Sequence, residues 1–331
     1  MSCENRRILC IDGGGIRGTF PAAFLAGMEN HLPHPIGSYF DLIAGTSTGG
    51  ILALGLGMGL KASTILSLYE QEGPKIFGQH HGPAINFILR KFRVARWLVH
   101  RKYSSENLQS ALADPEVLGT KLLGESRTRL VIPAWNPHLQ KVYIFKTAHH
   151  ERLRTDYKTS AVDVALATAA APTYFQQHIT RNDVSLLDGG IWANNPIAIA
   201  AVEAITLLGW PAKHLNIMSL GCLEEMYSIP KSGGLGQLSM KITNLFMNGQ
   251  SHGAKGMAKL LTGDGHDRKA IFRITDKIQN VYKLDDVRKI RELKGRGFAR
   301  AREEFPRLEK YFFKCPAEPF DPVYKPDRSI T

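Results

Sequence analysis

A chain of 331 residues with 44% apolar and 22% charged side chains has room for one large domain or two average ones. It is too ordinary in composition for disorder, a collagen-like repeat or a coiled coil. The formal charge of +12, from 42 basic and 30 acidic side chains, favours anionic partners such as phospholipid headgroups or nucleotides; with no RNP-type aromatic motif, zinc-finger spacing or basic heptad, DNA and RNA are not expected partners.

The N-terminus reaches a glycine-rich turn after an apolar run too short for a signal peptide, and no stretch approaches the roughly 20 apolar residues of a membrane span, so a cytoplasmic protein is expected. Cys3, Cys10, Cys222 and Cys315 are irregularly spaced, unlike zinc ligands, and are expected as reduced thiols. The apolar run Arg7 to Ile11, a helical stretch from Thr19 to Leu32 and a second run from Leu42 to Ala44 read as a βαβ opening. Ser47 to Gly59 reads as a buried helix despite its glycines.

Residues 85–102 (INFILRKFRVARWLVHRK) carry six basic residues and no acid, with Phe92 in an apolar stripe. They fit either a membrane-surface helix or an ordinary surface helix. Strands are expected at Arg129 to Ala134, Lys141 to Thr147, Val184 to Leu187 and Leu215 to Leu220, and helices at Ala161 to Ala171, Ile197 to Leu208 and Asp285 to Glu304. Strands interleaved with helices argue an α/β fold with a mostly parallel sheet covered on both faces. From Ser251 onward, 19 basic residues against 12 acidic ones give +7 of the total charge, which fits either an anion-binding part or a solvated charged helix face. The Pro-rich tail at 316–326 reads as irregular surface chain.

Two turns carry the chemistry. Gly45-Thr46-Ser47-Thr48-Gly49 lies between a strand and a helix, the context in which a GxSxG turn exposes a serine hydroxyl at a helix N-terminus. Asp12-Gly13-Gly14-Gly15-Ile16-Arg17-Gly18 also follows a strand, and consecutive glycines can aim several backbone N–H groups at one anion, either a phosphate or the oxyanion of acyl transfer. The rival is a dinucleotide-binding turn, but Asp41 precedes the second strand, so a ribose-binding acid is missing from the required sheet edge and Ser47 stands there instead.

A serine nucleophile needs a base. Ser47, Asp188 and His214 have the chain order of an α/β-hydrolase triad, yet only one strand precedes Ser47, against several in that fold. Asp188, in the run LLDGG, is the remaining candidate, with a turn or cap as its alternative role.

DGGGIRG at 12–18, GTSTGG at 45–50, DVALATAAAPTYF at 163–175 and DGGIWANNP at 188–196 together resemble the patatin-like phospholipases, over roughly residues 7–220. The resemblance implies a three-layer α/β/α patatin-like fold with the nucleophile elbow after the second strand. It implies a lipid acyl hydrolase in which Ser47 is the nucleophile and Asp188 the base, Gly13, Gly14 and Gly15 supply oxyanion-hole N–H groups, and Arg17 supports the site. No metal or organic cofactor is expected. A single patatin-like domain over 1–331 is expected, its catalytic blocks within 7–220 and its basic part, 221–331, a candidate for regulation.

The segment 246–264 and the basic C-terminal part are also similar to patatin-like effectors of bacterial anti-phage systems, which a cyclic oligonucleotide switches on. That likeness implies a cyclic di- or trinucleotide activator and action on a phospholipid membrane surface at its inner face; a homo-oligomer is left open by the sequence. An unregulated lipase, a non-catalytic lipid-binding protein and a nucleotide-binding oxidoreductase stand as alternatives.

Overall fold

In β1 (Arg6–Ile11), successive side chains enter two different cores. Leu9 and Ile11 join a cluster with Phe24, Leu25 and Leu54, while Ile8 and Cys10 join another with Ala200, Ala201 and Ile217. Side chains that alternate between two buried faces define a strand inside a covered sheet. The computed structural model of the chain describes residues 5–78, 102–225, 242–265, 268–278 and 282–327. The basic stretch at 85–102 lies outside them, apart from Lys102.

β1 pairs in parallel with β2 (Leu42–Gly45) on one side and β7 (Leu215–Leu220) on the other. β3 (Arg129–Asn136) pairs in parallel with β2, and β9 (Ile271–Ile274) with β7. Beyond β3 the sheet turns antiparallel through β4 (Lys141–Lys146), β6 (Ser185–Asp188) and β5 (His178–Ile179), the last pairing with β6. A small separate ladder joins β8 (Glu224–Glu225) to β10 (Lys277–Ile278).

One face of the sheet is covered by α1 (Thr19–Glu29), α2 (Thr48–Gly57), α3 (Ala62–Gln71), α4 (Gly73–Phe77), α5 (Glu106–Leu112), α6 (Ala161–Thr168) and α10 (Ile290–Phe312). The one-turn α7 (Gly190–Ala193) follows β6. The other face is covered by α8 (Ile197–Val202) and α9 (Ile242–Thr262), which contribute Ala200, Ala201, Ala254 and Ala258 to the second core. The three layers expected from the sequence are present.

Two element boundaries differ from expectation for identifiable reasons. α10 runs through Pro306 to Phe312 instead of stopping at Glu304. Leu293, Ala301, Leu308 and Phe312 continue one buried stripe, and that burial outweighs the roughly 3 kcal/mol a mid-helix proline costs. The helix begun at Ile197 passes into a π-turn at Glu203–Leu207. Glu203 there reaches His149 Nε2 at 2.8 Å and Lys146 Nζ at 2.6 Å, a buried network that fixes the local geometry.

Cys10 and Cys222 are free and buried, whereas Cys315 is disulfide-bonded, which corrects the expectation of four reduced thiols. Among the described residues no helix is long and apolar enough to cross a membrane.

Candidate functional site

Leaving β2, the chain reverses into α2 through Ser47, whose φ of 55° and ψ of −126° lie in a strained region for a residue with a Cβ. Gly49 permits the reversal: a Cβ there would stand 2.4 Å from the Ile11 carbonyl oxygen. The α2 N-terminus therefore packs directly on the end of β1, and its dipole favours negative charge on the serine oxygen. The Ser47 N–H donates to Thr168 Oγ1 at 3.0 Å, and Thr168 in turn donates to the Pro133 carbonyl at 2.6 Å. This explains part of the DVALATAAAPTYF block, because α6 ends at Thr168 beneath the turn.

Asp188 arrives from the opposite direction. β6 is antiparallel to β3, with Leu187 opposite Trp135 and Asp188 opposite Ala134. It enters from beyond the carboxyl edge of the parallel strands and stops after two paired residues, so its last residue lies at the same edge as Ser47. Ser47 Oγ donates to Asp188 Oδ2 at 2.7 Å. Oδ1 accepts the Gly190 N–H at 2.6 Å, and the Asp188 N–H donates to the Ala170 carbonyl at 3.0 Å.

Ser47 is 8% and Asp188 5% exposed. Burial pushes the Asp188 carboxyl up to about 6 against the opposing pull of its hydrogen bonds from Ser47 and Gly190. A carboxylate near 6 is a stronger base than an ordinary aspartate and is still ionised at neutral pH. His214, by contrast, immediately precedes β7, whose first residue pairs with Arg6 at the start of β1. It lies at the amino edge, a strand's length from Ser47, so the Ser-Asp-His order is not a spatial triad.

The glycine turn meets the elbow. A Cβ on Gly13 would sit 3.0 Å from the Ser47 Cβ and 2.7 Å from Asn194 Oδ1. Not all of its amides point into free space, however. The Gly13 N–H donates to the Asn194 carbonyl at 3.0 Å and the Gly14 N–H to Thr48 Oγ1 at 3.2 Å. Arg17 is buried and turns back on the turn, its Nε donating to the Gly14 carbonyl at 3.3 Å. It also lines, with Gly13, Asn194 and Arg273, a cavity of about 30 Å³ beside the turn, which is room for little more than water.

The C-terminal part supplies contacts that sequence reasoning missed. Arg273 of β9 grips Asp12 through both guanidinium nitrogens, at 2.9 and 2.6 Å, and donates to Ser219 at 2.8 Å. Burial raises the Asp12 carboxyl and the Arg273 guanidinium pulls it back toward the ionised form. The Leu284 carbonyl accepts the Ile16 N–H at 2.8 Å, and Asp285 accepts from Tyr103 OH at 2.6 Å. The available signal was the run IFRI, in which one arginine interrupts an otherwise apolar strand and so demands a buried partner.

The family model for patatin-like phospholipases matches residues 9–201. A "cGAMP-activated phospholipase" of Pseudomonas aeruginosa is 33% identical over 276 residues, covering 82% of this chain and 78% of that protein. Proteins of the same description from Vibrio cholerae and Escherichia coli are 32% and 31% identical, each over 95% of this chain and over 96% and 94% of their own lengths.

Proposed function

The chain belongs to the patatin-like phospholipase family and is a lipid acyl hydrolase, and on that premise we propose that Ser47 and Asp188 are its catalytic pair. The observation that carries this reading is the 2.7 Å hydrogen bond from a serine at a strained elbow to a buried carboxylate raised to about 6. In the forward step Ser47 Oγ bonds to the ester carbonyl carbon as its proton passes to Asp188 Oδ2. Collapse of the tetrahedral adduct breaks the ester C–O bond, and the alcohol part of the lipid leaves with that proton. Water then attacks the acyl-serine with Asp188 again as base, releasing the fatty acid and restoring Ser47.

The negative oxygen of each adduct requires donors, each worth about 3–4 kcal/mol of barrier, and amides of the glycine turn at Gly13, Gly14 and Gly15 are assigned to it. Because Gly13 and Gly14 are engaged with Asn194 and Thr48, full use of the turn requires those contacts to give way. The near-complete burial of Ser47 imposes a similar demand on substrate entry.

Those demands suit a gated enzyme. The second part of the proposal is activation by a cyclic dinucleotide, supported by the description shared by the bacterial relatives and by the basic C-terminal part that grips the glycine turn through Arg273. With it goes the reading of a cytoplasmic enzyme that acts at the inner membrane face in anti-phage defence, residues 221–331 being the regulatory part. Phospholipid vesicles incubated with a panel of cyclic di- and trinucleotides, with products identified by mass spectrometry, test both parts. Fatty acid and lysolipid should appear on addition of cGAMP and not with Ser47→Ala. Equal release without any nucleotide would leave an unregulated lipase, and no release under any condition would overturn the catalytic reading.

A further inference from the structure

We propose that the side-chain amide of Asn194 is a donor to the oxyanion formed at Ser47, beside the backbone amides of the glycine turn. This rests on the Ser47–Asp188 reading above and adds a residue to that same site. Two neighbouring asparagines in the run DGGIWANNP stand in opposite conditions. Asn195 is committed at both ends of its amide: Oδ1 accepts the Ile197 N–H at 3.1 Å and Nδ2 donates to Ser251 Oγ at 3.0 Å. It is a turn residue tied to α9. Asn194 is held by its backbone alone, its N–H donating to Gln250 Oε1 at 3.3 Å and its carbonyl accepting the Gly13 N–H at 3.0 Å. The residue is only 6% exposed, yet its side chain makes no hydrogen bond among the described residues. Buried side-chain amides are ordinarily paired, and an unpaired one beside reacting groups is a donor held in reserve.

The amide lies against both members of the pair. A Cβ added to Gly13 would stand 2.7 Å from Asn194 Oδ1 and 3.0 Å from Ser47 Cβ, and one added to Gly190 would stand 3.0 Å from Asp188 Oδ1 and 3.4 Å from Asn194 Oδ1. The two glycines therefore keep open a space bounded by the amide, the nucleophile and the base. The carboxamide also lines the cavity of about 30 Å³ beside the turn, so it has room to rotate and no bond to hold it. Half a turn about its last side-chain bond exchanges Oδ1 for Nδ2 and brings an N–H toward Ser47.

The resting state leaves this donor uncommitted where others are engaged. The Gly13 and Gly14 N–H groups are occupied by the Asn194 carbonyl and Thr48 Oγ1, whereas Asn194 Nδ2 can meet the developing charge without first breaking a bond. A neutral amide also suits the position. A cation there would hold Asp188 ionised and weaken it as a base, but an amide stabilises the oxyanion and leaves the burial-driven rise of Asp188 intact.

Steady-state kinetics of the full chain on a short-chain monomeric ester, with and without cGAMP, test the assignment together with inhibition by a trifluoromethyl ketone, to which a serine adds as an anionic tetrahedral adduct. Asn194→Ala should lower kcat about 100- to 1,000-fold with KM changed less than about threefold. It should weaken the ketone by a similar factor and keep a melting temperature close to wild type, because the contacts to Gln250 and Gly13 are made by the backbone. Asn194→Asp, of the same shape but without an N–H, should lose at least as much. Asn195→Ala should do the reverse, lowering the melting temperature and changing kcat less than about threefold. Near wild-type kcat in Asn194→Asp would overturn the proposal. So would unchanged ketone inhibition in Asn194→Ala, or an equal fall of kcat in Asn195→Ala, because the loss would then come from the loop and not from a donor. If Ser47→Ala still cleaves the ester and binds the ketone, the Ser47–Asp188 reading itself fails and takes this donor with it.

Discussion

The glycine turn and elbow at residues 12–50 and the C-terminal part at 242–327 contribute to the same site in different ways. In the first, the backbone itself is the device. A strained turn at Ser47 and the close approach of a helix at Gly49 each demand serine or glycine at fixed spacing, and the demand is written as a motif. In the second, single side chains act across the fold: Arg273 on Asp12, the Leu284 carbonyl on Ile16, Gln250 on Asn194. Each is one residue of ordinary type in an ordinary run. Local chemistry leaves a pattern in the sequence, and long-range pairing leaves almost none.

The largest effect should come from the elbow. Ser47→Ala should lower turnover by more than about 10,000-fold while leaving the melting temperature close to wild type. Substantial residual hydrolysis would place the nucleophile elsewhere and remove the distinction between the two regions.

Next comes the grip from the C-terminal part. Arg273→Gln leaves Asp12 as a buried carboxylate without its partner, a loss of about 3–5 kcal/mol, and it loosens the turn that Asp12 begins. Asp12→Asn in the same chain should recover a large share of the stability, because no unpaired charge remains. If Arg273→Gln has no effect on either stability or turnover, the C-terminal part is a passive cover.

Asp188→Asn should act on stability in the opposite sense to Arg273→Gln. The Asp188 carboxyl is raised from 3.8 to about 6 by burial, so the folded state binds the proton more tightly than the unfolded one. Wild-type stability then falls as pH rises from about 4 to 6 and stays at the lower level above that. Asp188→Asn removes this cost and should be more stable at pH 7–8, by up to about 3 kcal/mol, with the advantage disappearing near pH 4. Equal stability at pH 8 would mean that the ionised carboxylate is better solvated than its burial indicates.

The smallest effect is the pH profile. kcat/KM should fall about tenfold per unit on the acid side of pH 6, because protonated Asp188 cannot accept the Ser47 proton. An acid limb near pH 4 would describe an exposed aspartate.

The α/β class, β1, β2 and β7 were legible because alternating or continuous apolar runs are local properties, whereas the meeting of residues 47 and 188, 141 positions apart, was legible only through the family resemblance that the four blocks carry. The antiparallel entry of β6 was not, since a four-residue strand carries no direction in its sequence. Nor was β9, where Arg273 breaks the apolar run in IFRI, or the length of α10, where Pro306 reads as a stop until Leu308 and Phe312 are seen buried. The engagement of the Gly13 N–H by the Asn194 carbonyl depends on two segments far apart in the chain and had no local signal.

The central claim, that Ser47 is the nucleophile activated by Asp188, is tested most directly by mass spectrometry of the intact and digested protein after treatment with a fluorophosphonate. One adduct should form, on the peptide that contains Ser47, and it should be absent from Ser47→Ala and far slower to form in Asp188→Asn. An adduct on any other residue, or labelling of Asp188→Asn at the wild-type rate, would contradict it.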